Sequence, residues 1–374
     1  MTAHQVTLDT LLVITPLADD VLAILRDLFP TVLYYATPPF QPYDPSHPIP
    51  TEEDYARADA VFGFAIPHNL KSFSQTPRLK LWQGLSAGYS HITDTEYFKS
   101  IPDSADVIFA SASGIHVSTI GEHVLGTVLM LTHKLHYLAV TLWNEKRWVP
   151  HAELGLNFIR ELNTLKVGII GYGHIGRETA RLFASCGSEI LALTRTGKPA
   201  PESGFIIPHT GDPAGSLPAA YYSTESRAST LEFFAACDVV VNTLPDSAVT
   251  RGFVGRDELT AMKGDAIYVN IGRGTTTDQE ALIEALEAKP REGEDVGATG
   301  TLRIGGASLD VTTPEPLPSS SALYSLPNVV LTPHMSGLSR RYFHNAADVL
   351  KANAERVRAG QGALNAFRGR GEDD

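Results

Sequence analysis

The sequence predicts an α/β protein built from two doubly wound parallel-sheet domains. Three observations carry that expectation. Strand-like and helix-like runs alternate through the first hundred residues, and a second alternating block opens on a glycine turn at "LKVGIIGYGHIG" (165–176). At 374 residues the chain is also too long for one ordinary core.

In the first block, "TLLVITP" (10–16) reads as a buried strand and "ADDVLAILRDLF" (18–29) as a helix opening on acids. "TVLYYA" (31–36) is the next strand, followed by a Pro-rich loop over 37–50. "DAVFGF" and "LKLWQGLSAG" add two further strands. From Thr119 to about Arg147, apolar residues at 120, 124, 125, 128, 131, 135 and 138 predict one proline-free helix nearly thirty residues long. A helix so long and apolar is either a long core element or packs at a domain or subunit interface. The second arrangement would make the protein a homodimer.

In the second block the strands are "KVGII", "EILAL", "DVVVNTL", "AIYVNIG", "GASLDV" and "NVVLTPH". Stretches 197–229, rich in Gly, Pro, Ser and Ala, and 289–303, rich in Gly and charge, read as surface loops. The last helix, "RRYFHNAADVLKANAERVRAG", runs into a charged tail, "RGRGEDD", expected to fray.

Composition narrows the function. A hydrophobic share of 43% with 19% charged residues is ordinary for a globular protein. The net charge of −12 argues against a nucleic-acid partner, whose phosphates would be repelled, yet one local arginine can still hold a small anion. Cys186 and Cys237 stand in apolar contexts without ligand spacing, so both are expected to be small buried hydrophobes, with no metal site. No run approaches the ~18 apolar residues of a membrane span. The N-terminus lacks a basic start and apolar stretch, so a soluble cytoplasmic protein is expected.

Gly171, Gly173 and Gly176 form G-x-G-x-x-G directly after a strand and at the start of a helix. The glycines permit a tight turn, close backbone approach to a pyrophosphate and close helix–strand contact. The amides of the helix start then hold the phosphates. This is the turn of Rossmann-like dinucleotide sites, with Tyr172, His174 and Ile175 completing it. In sites that prefer NAD, a carboxylate at the end of the next strand reads the ribose hydroxyls. Glu189 begins that strand and so lies at the wrong end. Thr194, Arg195 and Thr196 stand at the correct end, with Lys198 close behind. A guanidinium and two hydroxyls suit a 2′-phosphate, so NADP(H) is the preferred cofactor and NAD(H) the alternative.

Further polar groups follow where strands end: Arg273 between Gly272 and Gly274, Asp310, Glu315 in a Pro-rich loop, and His334. In a doubly wound sheet the carboxyl ends line one crevice, and arginine, carboxylate and histidine there form an anion-binding and proton-transfer set. Each alone has a plain structural explanation. Three in order at strand ends favour chemistry.

With these residues the sequence resembles the D-isomer-specific 2-hydroxyacid dehydrogenases, in their glyoxylate/hydroxypyruvate reductase-like branch. The resemblance runs in order through "SASGIHVSTIGEHVLG", "GIIGYGHIGR", "CDVVVNTLPDSAVTRGFVG", "MKGDAIYVNIGRGTTTDQEAL", "GASLDVTTPEPLP" and "VVLTPHMSG". It implies that Arg273 grips the substrate carboxylate and keto oxygen, that His334 is the general acid, and that Glu315 is the partner keeping it protonated. It further implies that Asp310, Ile271 and Gly272 lie around the nicotinamide, and that Leu244, Pro245 and Thr250 contact the cofactor. Ser86, Ala87 and Gly88 would bind substrate through backbone amides. Gly88-Tyr89-Ser90 departs from the Gly-x-Asp of many relatives, "ELNTLKVG" lacks the commoner glycine, and the 197–229 stretch is longer than typical.

By the resemblance, residues 1–116 and 338–374 form the substrate domain and 117–337 the cofactor-binding Rossmann domain, two Rossmann-like/flavodoxin-like doubly wound domains with a cleft between them. The implied activity is NADPH-dependent reduction of a small 2-oxo acid, such as glyoxylate or hydroxypyruvate, to the D-2-hydroxy acid. Alternatives are an NADH-dependent enzyme for a bulkier 2-oxo acid and an NAD(P)H-sensing scaffold on the same fold. Formate oxidation is set aside, because those relatives carry glutamine where this chain has Glu315. If Arg195 reads a 2′-phosphate, Arg195→Ala raises the KM for NADPH far more than that for NADH, measured by steady-state kinetics with each cofactor.

Overall fold

The structure is a computed structural model and describes residues 6–38, 47–154, 159–290, 295 and 297–371. Residues 39–46 of the Pro-rich loop, part of the 289–303 loop and the last three residues of the charged tail lie outside the described residues. In chain order the strands are β1 (Thr10–Ile14), β2 (Thr31–Tyr35), β3 (Ala60–Gly63), β4 (Leu81–Gly84), β5 (Ile108–Ala110), β6 (Lys166–Ile170), β7 (Glu189–Thr194), β8 (Ala220–Ser223), β9 (Val239–Asn242), β10 (Ile267–Asn270), β11 (Gly306–Leu309), β12 (Val329–Leu331) and β13 (Ala366–Arg368).

The chain divides into two compact units. Met1–Ile115, Ser203–Ile207 and Ser339–Asp374 form the first; His116–Glu202 and Pro208–Leu338 form the second. The Ser203–Ile207 piece departs from an uninterrupted second domain. Phe205 accounts for it, packing against the core of the first unit while its amide donates to Asn365 Oδ1 at 3.2 Å.

The first unit is a sheet in the order β2-β1-β3-β4-β5-β13, parallel except for β13. The first five strands follow the flavodoxin-like order. Side chains alternate across it: Leu11 and Val13 of β1 pack with Phe62, Leu81 and Leu350 on one face, and Leu12 and Ile14 with Val61, Trp82 and Phe109 on the other. Both faces are therefore buried, as a parallel sheet requires. The frayed tail is corrected in part: Ala366–Arg368 pairs with β5, and Arg370 Nη1 donates to Gly360 O at 2.8 Å.

The second unit is all parallel, in the order β8-β7-β6-β9-β10-β11-β12. This is the Rossmann order extended by one strand, so the carboxyl ends of β6, β7, β9, β10, β11 and β12 share one edge. Val167, Ile169, Val239, Val241 and Val269 fill one face, and Leu191, Leu193, Val240 and Tyr268 the other.

Three further expectations are corrected. The predicted thirty-residue helix is two helices, Val117–Thr132 and Leu135–Glu145, separated where Lys134 takes φ 56°. Neither Gly nor Pro marks the break. His136 fixes it instead, its ring nitrogens meeting Met130 O at 3.0 Å and Pro327 O at 2.8 Å. The 197–229 stretch is not a simple surface loop, since it contains β8 and the start of the Arg227–Ala236 helix. Cys237 is buried as expected, but Cys186, at the end of the His174–Ser185 helix, is exposed. No helix among the described residues is long and apolar enough to cross a membrane.

Candidate active site at the carboxyl edge of the second sheet

The glycine turn leaves β6 at Ile170 and enters the His174–Ser185 helix with Gly173 as its N-cap. Gly171 sits at φ +83°, where a side chain would be strained. A Cβ on Gly176 would collide with Gly171 O, whereas one on Gly173 would meet nothing within 4 Å. Thr243, just past β9, pins the turn by donating to Gly171 O at 2.8 Å. The result is an open backbone cradle at a helix N-terminus, which fits a dinucleotide diphosphate. The Tyr172 side chain is buried and donates to Asp212 Oδ2 at 2.8 Å, which leaves its backbone to face a ligand.

At the end of β7, Thr194 Oγ1 accepts from Gly197 N at 3.1 Å, and Arg195 and Thr196 are exposed. Ser223 Oγ donates to Arg195 O at 2.7 Å, while the Arg195 guanidinium has no partner among the described residues. Glu189 is the first residue of the strand, ion-paired with Lys166 at 3.3 Å, at the end remote from the turn.

The loops after β9 and β10 are each set by the asparagine that ends the strand. Asn242 Oδ1 accepts from Leu244 N, and Asn270 Oδ1 accepts from Gly272 N, both at 3.0 Å. Asn270 Nδ2 donates to Arg273 O at 3.1 Å. A Cβ on Gly272 would collide with Leu244 O, and one on Gly274 with Thr312 O, so these glycines let three loops close around Arg273. Arg273 Nη1 donates to Gly272 O at 2.7 Å and makes no bond to Glu315 or His334. Thr250 Oγ1 donates to Pro245 O at 2.6 Å, fastening the turn that holds Leu244 and Pro245. Ile271 lies in the apolar core.

Glu315 and His334 are brought together. His334 Nδ1 meets Glu315 Oε2 at 2.9 Å, and Glu315 Oε1 accepts from Thr312 N at 3.0 Å. His334 has φ 51°, an unfavourable backbone for a side-chain-bearing residue and one that needs support from its surroundings. Asp310 supplies it. Its carboxylate is buried and accepts from Thr332 Oγ1 at 2.6 Å, Met335 N at 2.9 Å, Ser336 N at 3.1 Å and Ser336 Oγ, while Asp310 O accepts from His334 N at 2.9 Å. Asp310 thus organises the 332–336 loop. Burial works against its charge, but the bonds from Ser336, Thr332 and the two amides hold it below the usual carboxylate range. A cavity of about 460 Å³ opens on this pair, lined also by Pro316, Leu317, Tyr324 and Leu331.

Two histidines were not singled out from sequence. His116 is buried at the start of the Val117–Thr132 helix, and burial pushes its imidazole down to about 4. A backbone hydrogen bond with Gly337 opposes that shift, and the nearby Arg273 charge reinforces it. His123 Nε2 lies 3.4 Å from Thr332 Oγ1. "GIH" ends at the helix N-cap and "GEH" lies within the helix, and neither has any spacing that marks it as a ligand. In the first unit, the turn after β4 holds Ser86, Ala87 and Gly88, where Ser86 Oγ donates to Gly88 O at 2.7 Å.

A carboxylate stabilised when ionised adds to folding above the ordinary aspartate pKa of about 4, and the contribution is lost as pH falls through the lower folded value. Asp310→Asn is therefore expected to destabilise the chain by about 1–3 kcal/mol at pH 7, with the deficit shrinking in acid, read by urea unfolding across pH.

Residues 125–336 match the family described as D-isomer specific 2-hydroxyacid dehydrogenase, NAD binding domain. A glyoxylate reductase of Thermococcus gammatolerans is 30% identical over 289 residues, covering 75% of this chain and 74% of that one. A glyoxylate reductase of Aeropyrum pernix is 28% identical over 330 residues, covering 85% and 86%. In fold, the chain is similar to a D-isomer specific 2-hydroxyacid dehydrogenase from Xanthobacter autotrophicus Py2 solved with NADPH and MES. The TM-score is 0.71 at 23% identity, covering 97% of this chain and 98% of that one. With its glycine cradle and its Glu315–His334 pair on one sheet edge, the chain belongs to the D-isomer specific 2-hydroxyacid dehydrogenases, a family of NAD(P)-dependent oxidoreductases.

Proposed function

We propose that this protein reduces a small 2-oxo acid of the glyoxylate or hydroxypyruvate type to the D-2-hydroxy acid, with NADPH as the preferred reductant. The observation that carries this reading is the 2.9 Å Glu315–His334 bond, on a loop whose strained histidine backbone is held by Asp310. When bound, the reduced nicotinamide supplies the hydride. The glycine cradle would hold its diphosphate, and Thr194, Arg195 and Thr196 would read the 2′-phosphate.

Arg273 binds the substrate carboxylate and draws electron density from the keto oxygen. His334 uses Nδ1 on Glu315, which leaves Nε2 to deliver a proton to the forming alkoxide, while Glu315 orients the ring and balances its charge. Ile271 and Gly272 would line the nicotinamide side and Leu244, Pro245 and Thr250 would contact the cofactor, with Asp310 supporting the nicotinamide side through the loop it organises. In the first unit, the amides around Ser86, Ala87 and Gly88 offer donors to a carboxylate.

A panel of 2-oxo acids assayed with NADPH and with NADH tests the reading, and glyoxylate or hydroxypyruvate with NADPH is expected to give the highest kcat/KM. His334→Gln and Glu315→Gln are each expected to lower kcat by ~10²–10⁴-fold. Oxidation of neither cofactor with any acid would overturn the proposal.

We also propose a homodimer through the Leu135–Glu145 helix. Val140 is 60%, Trp143 83% and Trp148 85% exposed, a concentration of large apolar side chains that a second copy would cover. Beside them lies a cavity of about 540 Å³ lined by Leu138, Leu142, Val149 and Ile159. Light scattering is expected to give twice the chain mass, and Val140→Glu with Trp143→Glu to halve it; a monomeric parent refutes the dimer.

A further inference from the structure

The connection from β7 to β8 contains no helix, although parallel neighbours are usually joined by one. It is held instead by side chains of the glycine turn and the helix that follows. Arg177 is buried and donates through Nη1 to Asp212 O at 2.6 Å and through Nη2 to Ala200 O at 2.8 Å. Its Nε donates to Tyr172 O at 3.1 Å, and the guanidinium carbon lies 5.0 Å from the centroid of the Tyr172 ring. Glu178 Oε2 accepts from Gly211 N at 2.8 Å. Asp212 accepts from Tyr172 Oη, from Ser216 N at 3.0 Å and from Leu217 N at 2.9 Å.

These bonds converge on one peptide plane. The peptide joining Tyr172 and Gly173 is planar and trans, so its N–H points opposite to its C=O. With Tyr172 O fixed by Arg177 and the ring fixed by Asp212, the Gly173 N–H has one direction before any ligand arrives. It belongs to the residue whose surroundings are open. A donor already aimed does not have to be ordered on binding, and affinity rises accordingly.

We propose that Asp212, acting through Tyr172 and Arg177, is a positioning residue that sets the affinity of the glycine turn for the cofactor diphosphate. The proposal rests on the dinucleotide reading of that turn. Because NADPH and NADH share the diphosphate, both are affected alike, in contrast to a change at Arg195.

The test is direct binding of NADPH and NADH, followed by fluorescence, with kcat measured at saturating cofactor. Tyr172→Phe removes one hydroxyl and keeps the ring beneath Arg177; Asp212→Asn removes the charge. Each is expected to weaken both Kd values by about 10-fold while leaving kcat within about twofold. The double variant should be no weaker than Asp212→Asn alone, because the bond that Tyr172→Phe removes is one that Asp212 already makes. Tyr221→Phe removes a neighbouring bond to Gly215 O that does not touch the peptide, and its Kd values should match the parent. Unchanged Kd values in folded Tyr172→Phe and Asp212→Asn, equal weakening in Tyr221→Phe, or loss confined to NADPH would overturn the proposal. A parent chain that binds neither dinucleotide would overturn the cofactor reading itself.

Discussion

A carboxylate taken out of water must be met by donors, and Asp310 is met by two hydroxyls and two amides from a stretch of five residues. These bonds tie the 332–336 loop to one atom group. The stretch includes His334 in a backbone conformation that a histidine would not hold unaided. Its φ of 51° and its ring position opposite Glu315 follow from the same buried charge. The interaction is structural in form, and its consequence is positional: it decides where the His334 ring stands beside Glu315.

The arginine side of the site is built on a different principle. Here closeness matters more than charge. Gly272 and Gly274 leave no room for a Cβ against Leu244 O and Thr312 O, so the loops after β9, β10 and β11 approach backbone to backbone. Asn242 and Asn270, each the last residue of its strand, turn the chain by accepting from an amide two residues on. Arg273 is thus presented by a frame that needs nothing from its own side chain. Among the described residues the guanidinium keeps one bond, to Gly272 O, and its other donors can meet an anion.

Much of this could be read from the residues alone, because parallel sheets write themselves as apolar runs and glycine turns have few substitutes. Most strands of the second unit, β1 to β4 of the first and the G-x-G-x-x-G cradle had local signals, while the pairing of Glu315 with His334 came from the family resemblance. What escaped had none. The break at Lys134 depends on His136 reaching Pro327 O, which lies far along the chain. β8 hides in a stretch of small polar residues because it is an edge strand, only half buried. His116 looks like any residue at a helix start until burial and Arg273 are placed around it. Asn at the end of "VVVN" and of "YVN" was the one overlooked pattern visible in the letters, a repeated turn signal before each functional loop.

On the proposed dinucleotide reading, the β7–β8 connection joins two controls over one ligand. At its start the backbone of Arg195 is held by Ser223 while the guanidinium has no partner among the described residues. Further on, Asp212 and Ala200 are bound to a buried Arg177 that has little freedom left. A side chain that reads a ligand group gains by having its stem fixed and its head unpaired, since only the last rotamers are lost on binding. A turn that grips a group common to every ligand gains by having no freedom at all. The exposed arginine therefore suits discrimination between dinucleotides and the buried one suits affinity for both. Because one connection carries both, its length beyond an ordinary crossover has a physical reason. It must reach from the end of β7 back to the peptide between Tyr172 and Gly173.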